Sequence, residues 1–152
     1  MQPKRGLVAQ IKDTLQVNED RDAKAGQICK AIRTHFGQKW VGVYDVHRVE
    51  YTVIAWSGPA VPSSFRLPLG KGLIGEAVTL RKTVVAGEVK RDPRYVPMLE
   101  STQSEIIIPV ISAARDIVVG ILDVQSDHIH AFTKAHRELL EECAAVLLPL
   151  WQ

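Results

Sequence analysis

Two acidic residues in strongly apolar surroundings are the first candidates for chemistry in this sequence. Glu105 opens one apolar run, and Asp123 lies near the end of the next. The short segment 112–116 separates the runs, a pattern typical of a hairpin of buried strands. With the turn centred on Ala114, Glu105 is predicted to face Asp123 directly across the hairpin.

Two opposed carboxylates in apolar surroundings repel each other, and burial makes it harder to keep both ionised. Such a pair requires a cation, a proton or open water, so this end of the hairpin is the first predicted ligand site. Structural roles remain open, since Glu105 can pair with a nearby Arg or Lys and Asp123 can accept hydrogen bonds from loop amides. A register slip of one residue would place the two acids on opposite faces.

Length and composition favour one globular domain. The chain has 152 residues, of which 46% are hydrophobic and 24% charged, which suffices for a single core. A net charge of +2 without a basic stripe does not indicate nucleic-acid binding. No apolar run is as long as a membrane span and no signal peptide is recognisable, so we expect no membrane association and a cytoplasmic location. Cys29 and Cys143 lie in helical patterns and are predicted to be buried, unreactive thiols.

The hydrophobic pattern predicts an α+β domain around an antiparallel sheet. Terminal helices are expected on one sheet face, and the two long connections, 57–72 and 88–102, on the other, with a pocket between these loops and the sheet. The predicted elements are a helix marked by Leu7, Ile11 and Leu15, a helix from caps at 18–20 to Gly37, a hairpin over 40–56, a short helix at 73–80, a strand at 83–86, the hairpin 105–124, and a final helix from Phe132 or Thr133 through Leu148.

The ends of the chain are also apolar enough to suggest self-association. Leu147, Leu148, Leu150 and Trp151 make the end of the last helix apolar almost all round. Together with the apolar face of the first helix, within 1–20, they predict a four-helix seam in a homodimer.

Four sequence blocks, taken in order, resemble a GAF domain over nearly the whole of 1–152. These blocks are 69–77 (LGKGLIGEA), 92–94 (DPR), 104–105 (SE) and 120–126 (GILDVQS). The resemblance implies a small-molecule sensor module with its ligand pocket between one sheet face and the crossing loops. It also implies dimerisation through the terminal helices.

Within that family, the chain is similar to the free methionine-(R)-sulfoxide reductases. The resemblance implies that Trp40 and Tyr44 belong to an aromatic cage and that Glu105 and Asp123 are the acids that hold the free amino acid. That branch reduces its substrate with cysteines, whereas this chain has Ser64, Ile74 and Met98 at the corresponding positions. Because a thiolate is the nucleophile in such a reduction, the chemical step is not expected here.

The sequence therefore predicts a stand-alone, non-enzymatic GAF-type sensor that binds a small, amino-acid-like molecule. We expect no catalytic residue and no cofactor, and His128 with His130 alone makes a weak metal site. Signalling would pass through a partner protein. The alternatives are an enzyme of the sulfoxide-reductase type and a ligand-free dimerisation module. The predicted ligand-binding residues are Trp40, Tyr44, Ile74, Arg94, Tyr95, Met98, Glu105 and Asp123.

Overall fold

Six strands form one antiparallel sheet in the computed structural model, which describes residues 6–70 and 72–152. Predictions that involve residues 1–5 or Lys71 lie outside the described residues. The strands are β1 (Trp40–Val46), β2 (Glu50–Ser57), β3 (Arg66–Pro68), β4 (Val84–Ala86), β5 (Ser104–Ser112) and β6 (Ile117–Ser126). Their order across the sheet is β3-β2-β1-β6-β5-β4. The hairpins predicted from the alternating and apolar runs are confirmed.

Four α-helices accompany the sheet in the described part of the chain: α1 (Leu7–Gln16), α2 (Arg21–Phe36), α3 (Gly72–Leu80) and α4 (Lys134–Ala145). The signals that set their ends are visible in the structure. The Asp20 side chain accepts a hydrogen bond from the Ala23 amide at 2.8 Å, and Gly37 ends α2 with φ of 65°. Within the described ranges, no helix combines the length and hydropathy needed to cross a membrane.

The two faces of the sheet carry different layers, as the sequence predicts. Val41 and Val43 of β1 point to the face covered by α1, α2 and α4, where they join a core that contains Ile11 and Ile32. The intervening residues Trp40, Gly42 and Tyr44 belong to the other face, because side chains alternate along a strand. Helix α3 and the two long connections cover this second face.

Two details differ from the sequence prediction. The segment predicted as loop between β2 and α3 contains the edge strand β3, which pairs with β2 through Glu50–Pro68 and Tyr51–Leu67. The last helix ends at Ala145 instead of continuing through Leu148, and a 3₁₀ turn, Leu148–Trp151, follows. Pro149 accounts for this end, since its ring would clash with the carbonyl of a continuing helix and it disfavours helical backbone at Leu148.

The apolar residues near both chain ends are buried within their own chain. Leu7, Ile11 and Leu15 pack in the helix-covered core together with Leu147 and Leu150. They therefore already have partners without a second subunit, and the homodimer stays a prediction.

The last tryptophan is fixed by the sheet. The Trp151 indole covers Gly120, where a Cβ would lie 2.0 Å from the ring, and its Nε1 donates to Asp45 Oδ1 at 2.7 Å. Arg21 donates to the same carboxylate at 2.7 Å, so Asp45 connects α2 to the end of the chain.

Replacing Gly75 by alanine should destabilise the fold. The new Cβ would lie 2.4 Å from the carbonyl oxygen of Leu69, a backbone atom that has little freedom to move. Overpacking of this kind costs about 1–3 kcal/mol. Gly26→Ala is the matched control, because it also lies in a helix but its Cβ would meet nothing closer than Ala55 at 4.0 Å. We expect urea denaturation to show a loss for Gly75→Ala and a gain of about 0.5–1 kcal/mol for Gly26→Ala. Equal effects would contradict this interpretation.

Candidate functional site

The β5–β6 hairpin brings Glu105 and Asp123 to one face of the sheet, although not directly opposite each other. Glu105 pairs with Gln125, and Asp123 pairs with Ile107, so the acids are diagonal neighbours. The prediction of direct opposition is wrong for two physical reasons. The turn spans four residues between Ser112 and Ile117, and a bulge near Val110 shifts the register once more. Each of these features shifts the pairing of β5 with β6 by one residue. The total shift of two residues leaves Glu105 and Asp123 on the same face of the sheet.

Asp123 is wholly buried and lies at the centre of a hydrogen-bond network. Its Oδ2 accepts from the Tyr44 hydroxyl at 3.1 Å and from Gln125 Nε2 at 3.0 Å. The Gln125 Oε1 in turn accepts from Thr102 Oγ1 at 2.6 Å, which connects the network to the loop before β5. The other carboxylate oxygen, Asp123 Oδ1, is buried and has no hydrogen-bond partner among the described residues.

The surroundings of Glu105 favour its neutral form. Burial raises the pKa of Glu105 well above its ordinary value, and the charge and hydrogen bond of Asp123 raise it further. Burial also raises the pKa of Asp123, while hydrogen bonds from Glu105, Gln125 and Tyr44 oppose that rise. Burial and the neighbouring carboxyl group therefore both oppose ionisation of Glu105.

The space beside these acids is small. Asp123 and Glu105 line a cavity of about 20 Å³, which is room for a single water molecule. We call it the acid cavity. Its lining residues are Tyr51, Gly72, Leu73, Ile74, Val96, Met98, Glu105, Ile107, Asp123 and Gln125. Small-molecule sites are usually ten or more times larger, so the roof of this cavity has to move before a ligand of several heavy atoms can enter.

The predicted aromatic residues lie next to the acid cavity instead of lining it. The Trp40 indole lies over Gly42, the backbone partner of Asp123, and a Cβ at Gly42 would be 2.3 Å from the ring. The Trp40 Nε1 donates to the carbonyl of Ala60, which holds the long loop against the ring. Tyr44 lies 6.3 Å from Trp40 between ring centroids, and its hydroxyl is 3.3 Å from Met98 Sδ.

Arg94 does not face the acid cavity. Its guanidinium donates to Asp92 at 2.8 and 2.6 Å and to Glu76 of α3, so it fastens the loop 88–102 to that helix. Hydrogen bonds from Arg94 lower the pKa of Asp92. Tyr95 is half-buried against the loop-covered face, where burial and the nearby Glu105 charge raise its pKa.

Of the other predicted residues, Ile74 and Met98 do line the acid cavity. Sequence reasoning missed Tyr51 and Gln125, which also line it. Gln125 could have been found, because it lies two residues after Asp123 on the same strand and therefore on the same face. Tyr51 packs edge-to-face on Tyr44 at 5.4 Å, and no local signal assigns it to this site.

Neither thiol of the chain reaches this face. Cys29 and Cys143 are fully buried in the core between the sheet and the terminal helices. Burial raises the pKa of both thiols, that of Cys143 to about 12. At neutral pH both are uncharged and separated from the acid cavity by the sheet.

No three His, Cys, Asp or Glu side chains converge as a metal site would require in residues 6–70 and 72–152. His128 and His130 lie instead beside the carboxylates of Asp127 and Glu88, at 3.4 and 3.3 Å.

The structure combines a six-stranded sheet, helices on one face, and loops that enclose a small polar hollow on the other. Residues 18–147 match the sequence profile of the family described as the GAF domain, so this chain belongs to the GAF family. GAF domain-containing protein A of Dictyostelium discoideum is 27% identical over 142 residues, which cover 93% of this chain and 87% of that protein.

Two solved structures extend the comparison. The free methionine-R-sulfoxide reductase of Neisseria meningitidis, in complex with its substrate, superposes with a TM-score of 0.85 at 28% identity, covering 95% of this chain and 86% of that one. A putative GAF sensor protein of Burkholderia vietnamiensis superposes with a TM-score of 0.81 at 25% identity, covering 91% and 86%. The family is thus shared with both an enzyme and a sensor.

Replacing the Glu105 carboxyl group by an amide should change how the free energy of unfolding depends on pH. The unfolded chain releases the Glu105 proton near 4.5, whereas the folded protein retains it to much higher pH. Glu105 therefore stabilises the fold most at low pH, and its contribution falls as pH rises between the unfolded and folded pKa values. Glu105→Gln keeps a hydrogen-bond donor toward Asp123 without a titrating group.

We expect Glu105→Gln to become progressively more stable than the wild type as pH rises from 5 to 9, by at most about 1.4 kcal/mol per pH unit. Urea denaturation at a series of pH values measures this difference. The matched control is Glu100→Gln, because Glu100 is exposed and its difference from the wild type should stay constant with pH. A constant difference for Glu105→Gln would show that no buried proton is held there.

Proposed function

We propose that this chain is a non-enzymatic GAF sensor whose ligand is a small ammonium compound resembling a free amino acid. One observation carries the proposal: Asp123 Oδ1 is buried, borders the acid cavity and has no hydrogen-bond partner among the described residues. Buried carboxylate oxygens are nearly always paired, so an unpaired one beside a second carboxyl group is an acceptor site for a donor from outside.

An ammonium group suits this site by charge and by geometry. It offers three donors and one positive charge, whereas a neutral ligand brings no charge to offset the two neighbouring acids. The positive charge of a bound ammonium would favour the anionic forms of Glu105 and Asp123, whose oxygens accept its hydrogen bonds. Ile74 and Met98 supply the apolar side of the same cavity, which would fit an aliphatic or thioether side chain.

The closed cavity links binding to movement of the roof. Val96 and Met98 cover the acids. Val96 is 48% exposed, so few other residues hold this segment in place. Entry of a ligand would move these residues and reorder the loop 88–102, which Arg94 fastens to α3. Such a rearrangement is the signal we propose, read by a partner protein from a homodimer in the cytoplasm.

A sulfoxide reductase is the second candidate, favoured by the 28% identity to the Neisseria meningitidis enzyme over 95% of this chain. The cavity argues against that chemistry. The branch-specific cysteine positions carry Ile74 and Met98 in the cavity wall, and Ser64 in the loop, where its hydroxyl donates to the Arg66 carbonyl. Neither buried thiol can reach a substrate at Asp123 without unfolding part of the helix-covered core.

Free amino acids with an apolar side chain should stabilise the protein against heat. At a hundredfold excess over the dissociation constant, a ligand adds about 2.7 kcal/mol, which corresponds to about 5–10 °C for a domain of this size. L-Methionine and its (R)-sulfoxide are the first probes, and N-acetyl-L-methionine is the matched control because it lacks the ammonium group. Asp123→Asn should weaken binding at least tenfold, whereas Glu100→Gln should not. Equal stabilisation by the acetylated compound would overturn the ammonium site.

No methionine sulfoxide should be consumed in the presence of a thiol reductant. The expected rate equals that of the reductant alone, because no thiol borders the acid cavity. Cys29→Ser and Cys143→Ser are the informative variants, and they should leave ligand binding unchanged. Turnover that either substitution abolishes would replace the sensor with the reductase.

The dimer and its coupling to the ligand are tested by sedimentation. We expect a species of twice the chain mass. The dissociation constant of this dimer should change when a stabilising amino acid occupies the acid cavity. A monomer at all concentrations, with and without that amino acid, would remove the homodimer from this proposal.

A further inference from the structure

A second, larger hollow lies at the opposite end of the strands from the acid cavity. The β1–β2 and β5–β6 turns meet the C-terminal end of α3 there and enclose about 630 Å³, a volume typical of small-molecule sites. We call it the end cleft. Its apolar lining residues are Val46, Leu69, Val78, Ile117 and Val118.

Positive charge surrounds this apolar lining. Arg48, Arg81 and Arg115 border the end cleft, with Asp116 as the one carboxylate among its lining residues. Arg81 pairs with that carboxylate. Its guanidinium donates to Asp116 Oδ1 at 2.8 Å and to the Asp116 carbonyl at 3.2 Å. Arg48 and Arg115 are exposed and have no ion-pair partner in the described part of the chain, so their guanidinium groups are available to an anion.

The backbone at the rim of the end cleft is held in an unfavourable conformation. Arg81 has φ of 56° and Asp116 has φ of 53°, in the left-handed region that residues with a side chain rarely adopt. They are two of the three such non-glycine residues in 6–70 and 72–152, and they contact each other. Strained backbone concentrates at functional sites, where the surrounding structure maintains it.

Apolar side chains at the same end remain open to water. Ile117 of the lining is 42% exposed, and Leu80, next to Arg81, is 52% exposed. An accessible apolar floor bordered by unpaired arginines is complementary to a molecule with an apolar body and one anionic group.

We propose that the end cleft is a second ligand site, which binds an amphipathic anion. The apolar body of the ligand packs on Val78, Ile117 and Val118, and its carboxylate or phosphate accepts hydrogen bonds from Arg48 and Arg115. The two sites of the protein thus have opposite charge preference, since the acid cavity takes a cation and the end cleft takes an anion.

Octyl phosphate is the probe that tests this site, used below the concentration at which it forms micelles. Methyl signals of Val46, Val78 and Val118 in NMR titrations should shift saturably, while those of the helix-covered core, such as Val41, should not. Octanol lacks the anionic group and inorganic phosphate lacks the apolar chain, so each should bind at least tenfold more weakly than octyl phosphate. Octanoate replaces the phosphate by a carboxylate and distinguishes the two anion types.

The double variant Arg48→Gln/Arg115→Gln should weaken octyl phosphate binding about tenfold or more, since two charge-assisted contacts are lost. Ile117→Gln removes apolar contact instead and should also weaken binding. Lys12→Gln/Lys30→Gln is the matched control, because it removes two exposed charges from α1 and α2. Binding that is unchanged in the arginine double variant, equal binding of octanol, or shifts spread over the whole sheet would overturn the proposal.

Discussion

The rest of the site depends on two buried carboxyl groups that the β5–β6 hairpin holds on one face of the sheet. Glu105 is 5% exposed and Asp123 is 0% exposed, and their proximity on one face raises the pKa of Glu105. The surrounding donors, the Tyr44 hydroxyl and the Gln125 amide, satisfy one oxygen of Asp123 and leave the other free. Burying two neighbouring acids costs stability, and such costs are common at functional sites.

The architecture places the aliphatic core and the buried acids on opposite faces of the sheet. The sheet face under α1, α2 and α4 is packed with aliphatic side chains and both thiols, and it accounts for most of the large buried residues. The other face holds the aromatic rings, the acids and the loops that cover them. Because every strand contributes alternate residues to the two layers, changes in the acid cavity leave the aliphatic core intact.

Much of this arrangement could be predicted from local patterns. The helix caps at Asp20 and Gly37, the alternation along β1 and the two apolar runs of the β5–β6 hairpin are each set by neighbouring residues, and the structure agrees with them. The register could not be predicted, because the Ala and Arg residues of the turn give no distinct sequence signal for a bulge or for a turn of four residues. The pairing of Arg94 with Glu76 was equally hidden, since Glu76 lies 18 residues away and only the tertiary fold brings it near.

Gly42 has a consequence for the shape of the loop-covered face. Its missing side chain lets the Trp40 indole lie flat on the sheet, directly beside the backbone position of Asp123. Any larger residue there would lift the ring toward the loops. The smallest residue of β1 therefore sets how closely the Trp40 ring approaches the sheet beneath the loops that cover it.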